Sequence, residues 1–312
     1  MQQIQWYPGH MHKASKEMKK LLPEVDLIIE VLDARIPFSS ENPMIRSIRG
    51  DKPCIKVLSK SDLADPERTA LWQAYLEQEQ GVKTLAITTD DPSRALQITD
   101  LCRKMLPHKD QGAKSINAMI MGIPNVGKST LINLLAGRTI AKTGNEPAVT
   151  KGQQRINLRN GIVLHDTPGV LWTNLENRNT GYRLAVTGAI KDTAIDHDDV
   201  AFFAADFLLA NYPEQVAERY GIAQLPDEHS PSPALELLEL IGARRGCLGG
   251  GGRVDLDKVS KILLTELRAG TVGQLTLETP QEMETELAEL DVIRAKKAAK
   301  KEARKQRRKG NH

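Results

Sequence analysis

The sequence predicts an α/β protein: a doubly wound, mainly parallel sheet, then a smaller all-helical region and a basic tail. Three observations carry this expectation. Short apolar runs alternate with helical patterns through the first half of the chain. A glycine-rich turn, "GIPNVGKS" from Gly122 to Ser129, joins one such run to an apolar helix. After Thr173 the strand patterns stop and only helical ones follow.

The elements read in order as follows. Met11–Leu22 is an opening helix. "VDLIIEVLDAR" is a buried-strand pattern ending at Asp33-Ala34-Arg35. "KPCIKVLSKSD" is a second strand followed by a turn. Pro66–Gln80 is a helix with Pro66 in its first turn. "VKTLAITTD" is a third strand, Pro92–Met105 a helix, and "SINAMIMGIPNVGKS" a fourth strand entering a loop and helix. "GQQRINLRNGIVLHDTPG" reads as a hairpin turning at Asn160-Gly161. Asp198–Asn211, Pro213–Tyr220, Pro233–Arg244 and Leu256–Ala269 are helices, and "GCLGGGGRVD" between the last two is a connection. The expected division is residues 1–172, 173–285 and 286–312, the last a basic tail whose part from Arg294 is helical in part when bound and disordered when free.

Composition narrows the function classes. The 312 residues are 40% hydrophobic, as in ordinary globular chains. No apolar run reaches 18 residues, and "MQQIQWYPGHMHK" holds no signal-like stretch, so no membrane is expected. Cys54, Cys102 and Cys247 match no metal spacing, which points to buried thiols in a reducing cytoplasm. The formal charge of +3 is uneven: Asp291 to His312 holds ten Lys or Arg against two acidic residues. A basic end favours a polyanionic partner.

Gly122-x-x-x-x-Gly127-Lys128-Ser129 is a phosphate loop in the context its mechanism needs, strand before and helix after. Its glycines let backbone N–H groups close on phosphates, Lys128 reaches the terminal phosphates, and the Ser129 hydroxyl ligates Mg²⁺. Asn125, Val126, Gly127 and Thr130 complete the contact. Asp166-x-x-Gly169 closes a later strand. Asp166 there can hold Mg²⁺ through water, and the Gly169 N–H can meet a γ-phosphate. Thr150, between these motifs, is the candidate switch residue on Mg²⁺. "SKSD" suits a guanine reader. Asp62 can accept two hydrogen bonds from guanine that adenine cannot supply, Ser59 opens the motif, and the Lys60 stem can pack on the base. Thr88 and Thr89 close the next strand, where they can cap the base. The parts of a GTP-binding domain are therefore present in rotated order, which adjacent termini permit.

With that order, "WYPGHM", "DAR", "GIPNVGKST", "VTKGQQ" and "YRLAVTGAI" resemble the circularly permuted GTPases, and within them the bacterial GTPases of ribosome biogenesis. The similarity covers residues 4 to about 280. It implies GTP hydrolysis coupled to late assembly of the large ribosomal subunit, with the helical region on ribosomal RNA. Three departures stand out: Ser59 where the family usually has Asn or Thr, Ala148 where it often has Gly, and a tail beyond Asp291 more basic than the shared core requires. Val170 occupies the place of the water-orienting Gln of Ras-like enzymes. The resemblance offers His10 as its replacement; anchoring the N-terminus or touching RNA is the other reading of His10. In related GTPases an Asn at the position of Asn125 helps hold K⁺; a backbone turn is its other reading. Lys128 and Gly169 complete the expected catalytic set, in a monomer that is slow alone and stimulated by large subunits. Two further functions stay open: a regulatory GTPase with a protein partner, and an RNA-binding module stabilised by its nucleotide.

Overall fold

The computed structural model describes residues 4, 6, 7, 9–110, 115–141, 154–172, 175–227 and 229–309, with backbone alone at 10, 110 and 303–309. Six strands form one sheet: β1 (Leu27–Asp33), β2 (Cys54–Ser59), β3 (Val82–Ala86), β4 (Ile116–Gly122), β5 (Gln154–Asn157) and β6 (Ile162–Asp166). The spatial order is β3-β2-β1-β4-β6-β5, and every neighbouring pair is parallel except β5 with β6. All seven residues of β1 are buried, as a central strand covered on both faces requires. Helices α1 (Gly9–Leu21), α2 (Pro43–Arg49), α3 (Pro66–Leu76), α4 (Pro92–Met105), α5 (Pro107–Asp110) and α6 (Lys128–Ala136) surround it.

The remaining elements are helical: α7 (Arg178–Val186), α8 (His197–Asn211), α9 (Pro213–Tyr220), α10 (Pro233–Arg244), α11 (Leu256–Ala269) and α12 (Pro280–Lys309). Local chemistry sets the starts of α3, α7 and α8. Asp65 accepts from Glu67 N and Arg68 N ahead of Pro66, and Asn177 and Asp196 cap α7 and α8 in the same way. Gly221 and Gly270 end α9 and α11 in the left-handed conformation that glycine adopts without a Cβ penalty.

The alternation read from the sequence is present, with corrections. α3 stops at Leu76, short of Gln80, before the turn into β3. The hairpin loop holds Arg159 and Gly161 at positive φ, and Leu158 N bonds Ile162 O, so it is longer than an Asn160-Gly161 two-residue turn. α2, α5 and α7 were not expected. The segment expected as a separate tail from residue 286 continues the helix begun at Pro280, because Met283 and Leu287 pack beside Trp72 of α3 and anchor its first turns.

One polar pair lies inside the sheet. Register places Glu30 of β1 beside Lys56 of β2, both nearly inaccessible. Lys56 Nζ is 4.0 Å from Glu30 and 2.8 Å from Glu41. Burial, followed by the Glu41 charge, pushes Glu30 up to about 8. A carboxyl raised on folding contributes stability that is complete below its ordinary value and is lost as pH rises toward the folded value. Glu30→Gln keeps the acceptor for Asn42 N and removes that titration. The variant should melt a few degrees higher than the parent above about pH 8, with no gain below about pH 4.5, in a thermal unfolding series across pH.

Candidate functional site

The motifs meet at the carboxyl ends of the parallel strands, where open α/β sheets place their ligand crevice. β4 delivers the phosphate loop, β6 ends at Asp166, β2 ends at Ser59, β3 ends just before Ile87-Thr88, and β1 ends at Asp33. Five strands separated in sequence thus set one edge. The rotated motif order leaves this convergence intact.

The phosphate loop is shaped by close backbone approaches. A Cβ on Gly122 would stand 2.7 Å from Val31 O, so only glycine lets β4 leave the sheet there. Asn125 and Gly127 take φ of 59° and 94°, which turn the chain into the start of α6. Ser129 and Thr130 follow in its first turn, half-buried, and Val126 is buried. A Cβ on Gly169 would lie 2.9 Å from Pro124 N and Cα, so the Asp166–Gly169 segment rests directly on the loop. Val170 N bonds Gly122 O at 3.2 Å.

Lys128, 5% exposed, forms an ion pair with the buried Asp166 carboxylate. Burial lowers the Lys128 pKa, with Asp166 opposing, and burial raises that of Asp166, with Lys128 opposing. Desolvation therefore outweighs the pair's own attraction on both partners. Among the described residues, Asp166 Oδ2 is buried with no hydrogen-bond partner. An anion near Lys128 and a hydrated cation near Asp166 would both be favoured.

The base loop is tied to the phosphate loop. The Ser59 hydroxyl lies 2.8 Å from Leu32 O and 2.6 Å from Val126 O. Serine thus keeps a link across the loops even though it lacks an amide. Lys60, at φ 56°, places Nζ 3.0 Å from Asp33 Oδ2 and 2.9 Å from Asn125 O. Its ammonium is a strut between loops, a role beyond the stacking expected of its stem. Asp33 also receives Arg35 in a two-pronged pair at 2.9 and 2.8 Å. Burial would raise the Asp33 pKa, but Arg35 and Lys60 hold it well below the usual carboxylate range. Asp62 is exposed, Thr88 half-buried and Thr89 exposed beside it; Ser61 N bonds Ile87 O at 3.1 Å, which brings the two loops together.

Not every expected residue is placed here. Thr150 and Ala148 lie outside the described residues. His10 stands in the first turn of α1, and its side chain is outside the description. The Asn125 amide donates to Gly188 O at 3.2 Å. His165 Nε2 meets Asn117 Oδ1 at 3.1 Å, on the side of β6 opposite Asp166. The Asp33–Arg35 pair and Gly188 were missed as site residues. An Asp-Ala-Arg closing an apolar strand was the available signal for the first; Gly188 gave none.

The profile of the family described as 50S ribosome-binding GTPase matches residues 117–229, from β4 into the helical region. The chain is 46% identical over 292 residues to Ribosome biogenesis GTPase A of Priestia megaterium, spanning 91% of this chain and 99% of that one. It is 31% identical to the Thermotoga maritima protein of the same name, over 90% of this chain and 96% of the other. The GNP-bound structure of YlqF from T. maritima superposes with a TM-score of 0.59 at 28% identity, covering 86% of this chain and 98% of that one. The GDP-bound structure of TM YlqF gives 0.62 over 85% and 99%. With the rotated motifs meeting at one sheet edge and such identity along nearly the whole chain, the protein is a circularly permuted GTP hydrolase and belongs to the ribosome biogenesis GTPase A family.

Proposed function

We propose that the protein binds the precursor of the large ribosomal subunit in the cytoplasm, as a monomer, and couples GTP hydrolysis to its late assembly. In this reading residues 1–172 hold the nucleotide, residues 173–285 contact ribosomal RNA, and the basic end adds a sequence-independent, salt-sensitive attraction to it. The relatives' names carry the ribosomal part. The observation that carries the coupling is the route out of the Asp166–Gly169 segment. It leads into α7, whose residues Thr180 to Val186 are all buried. Arg183 of α7 then grips Glu278 and Glu286 at 3.5 and 2.7 Å, at the root of the basic helix α12. A movement answering the γ-phosphate at Gly169 would in this reading reach the root of α12 through α7 and the Arg183 ion pairs.

Asp62 reads guanine, with Ser59 and Lys60 fixing its loop and Thr88 and Thr89 capping the base. The N–H groups of Asn125 to Thr130 hold the phosphates, and Lys128 exchanges Asp166 for them. Ser129 and, through water, Asp166, whose Oδ2 has no partner among the described residues, would hold Mg²⁺; Thr150, outside the described residues, is the third expected contact. Bound there, the ion supplies charge neutralisation at the β- and γ-oxygens. The Gly169 N–H meets the γ-phosphate. Val170 is buried and cannot orient water, so His10 takes that role. Asn125 is the contact for K⁺.

The test is GTP turnover of the purified chain with and without large subunits, in K⁺ and then in Na⁺. Slow turnover alone, raised by large subunits and lowered in Na⁺, is the expected result. No response to large subunits would overturn the coupling, and equal rates in both salts would remove K⁺.

A further inference from the structure

The guanine-reading loop is held from behind by a distant part of the chain. Residues Gln274 to Glu278, between α11 and α12, run beside the loop Asp62–Asp65. Gln274 Nε2 donates to Asp62 O at 3.0 Å. Leu275 N donates to Leu63 O at 3.0 Å. Asp65 N donates to Thr276 Oγ1 at 3.1 Å. The Tyr212 hydroxyl, at the α8–α9 junction, lies 3.1 Å from Asp65 Oδ2 and 3.2 Å from Thr276 O, and it accepts from Thr276 N at 3.0 Å. Farther along, Leu277 N donates to Arg35 O at 2.8 Å. Thr276 and Leu277 are buried, whereas Gln274 is exposed.

This pattern has a consequence for selectivity. A carboxylate that distinguishes bases by two hydrogen bonds must be held to within a few tenths of an ångström, because such bonds weaken steeply with distance and angle. On its inner side the loop is fixed by Ser61 N to Ile87 O. On its outer side Asp62 O, Leu63 O and Asp65 N are each bonded by the segment 274–276, besides the local bonds of Leu63 N to Lys60 O and of Thr69 to Asp65 O. We propose that Gln274, Thr276 and Tyr212 are positioning residues for Asp62, so that this segment sets guanine selectivity and the rate of GDP release. The proposal rests on Asp62 being the base reader. The segment joins α11 to the basic helix α12, so displacement of either helix would loosen the grip on the base.

The test compares GDP with IDP, whose base lacks the 2-amino group, in the full chain. Affinities for both and the release rate of fluorescent GDP are measured for the parent, Gln274→Ala and Tyr212→Phe. Both side chains can be changed without opening the core: one is exposed, and the other keeps its ring under Arg68. Each variant is expected to release GDP about fivefold to tenfold faster and to lose a similar factor in GDP-over-IDP preference, the worth of one or two hydrogen bonds. Gln274→Lys restores a donor and should recover the preference. Equal weakening of GDP and IDP, or no change in either, would overturn the positioning role. A parent chain that does not prefer GDP to IDP would instead bring down the base-reader assignment, and this proposal with it.

Discussion

Lys128→Ala should bind GDP roughly a hundredfold more weakly than the parent, since in the proposed site it would lose charge-assisted bonds to the phosphates. It should also be less stable without nucleotide, and the second effect identifies the cause. In the parent, Lys128 is the sole ion-pair partner recorded for Asp166 among the described residues. Removing it leaves a carboxylate of 1% exposure unpaired, which costs about 3–5 kcal/mol when one member of a buried pair is deleted. Burial already raises the Asp166 pKa with Lys128 present, so the orphan would take up a proton more readily still. Lys128→Ala with Asp166→Ala should recover much of the stability and none of the nucleotide affinity. Thermal unfolding and titration with fluorescent GDP separate the two. A single variant as stable as the parent would show that the pair contributes nothing to the fold. A double variant that regained nucleotide binding would remove Lys128 from the phosphate site.

The parts of the fold that were legible in the sequence are those with a single local cause. β1, β2, β3 and β4 are apolar runs, and α3 and α4 begin at an Asp cap followed by proline. α7 was hidden for a physical reason: residues 180 to 186 are buried all round, so no amphipathic period marks them. Its buried Arg183 looks like a surface residue until Glu278 and Glu286 arrive from about a hundred residues away. The Glu30–Lys56 pair depends on register between two strands, which neither strand states alone. For the candidate site, motif chemistry nominates Asp62, Lys128, Asp166 and Gly169, because each is tied to a spacing. The supports did not show. Ser59 to Val126 O, Asn125 to Gly188 O and the bonds from residues 274–276 all end on backbone carbonyls or N–H groups, and a backbone group carries no residue signature.

Asp62→Asn should reverse base preference while leaving the fold intact. The loop is fixed by main-chain bonds, Ser61 N to Ile87 O at 3.1 Å and Leu63 N to Lys60 O at 3.0 Å, with Gln274 on Asp62 O. None of these uses the carboxylate. Aspartate offers acceptors alone, which suits the N1–H and 2-amino donors of guanine. Asparagine offers one acceptor and one donor. That pair suits xanthine, which keeps N1–H but carries a carbonyl at position 2, and it sets an N–H donor against the amino group of guanine. Sites built on such bonds reject a mismatched base strongly, because the buried groups are left unpaired. The ratio of GDP to XDP affinity is therefore expected to shift by on the order of 10⁴ toward XDP. Competitive displacement of fluorescent GDP and fluorescent XDP measures it. Because Ser59 and Lys60 still join the loop to the phosphate loop in this variant, XDP should support turnover near the parent's rate with GTP when supplied as XTP. GDP affinity unchanged with no gain for XDP would place the base reader elsewhere on the sheet edge, with Thr88 and Thr89 the next groups to replace.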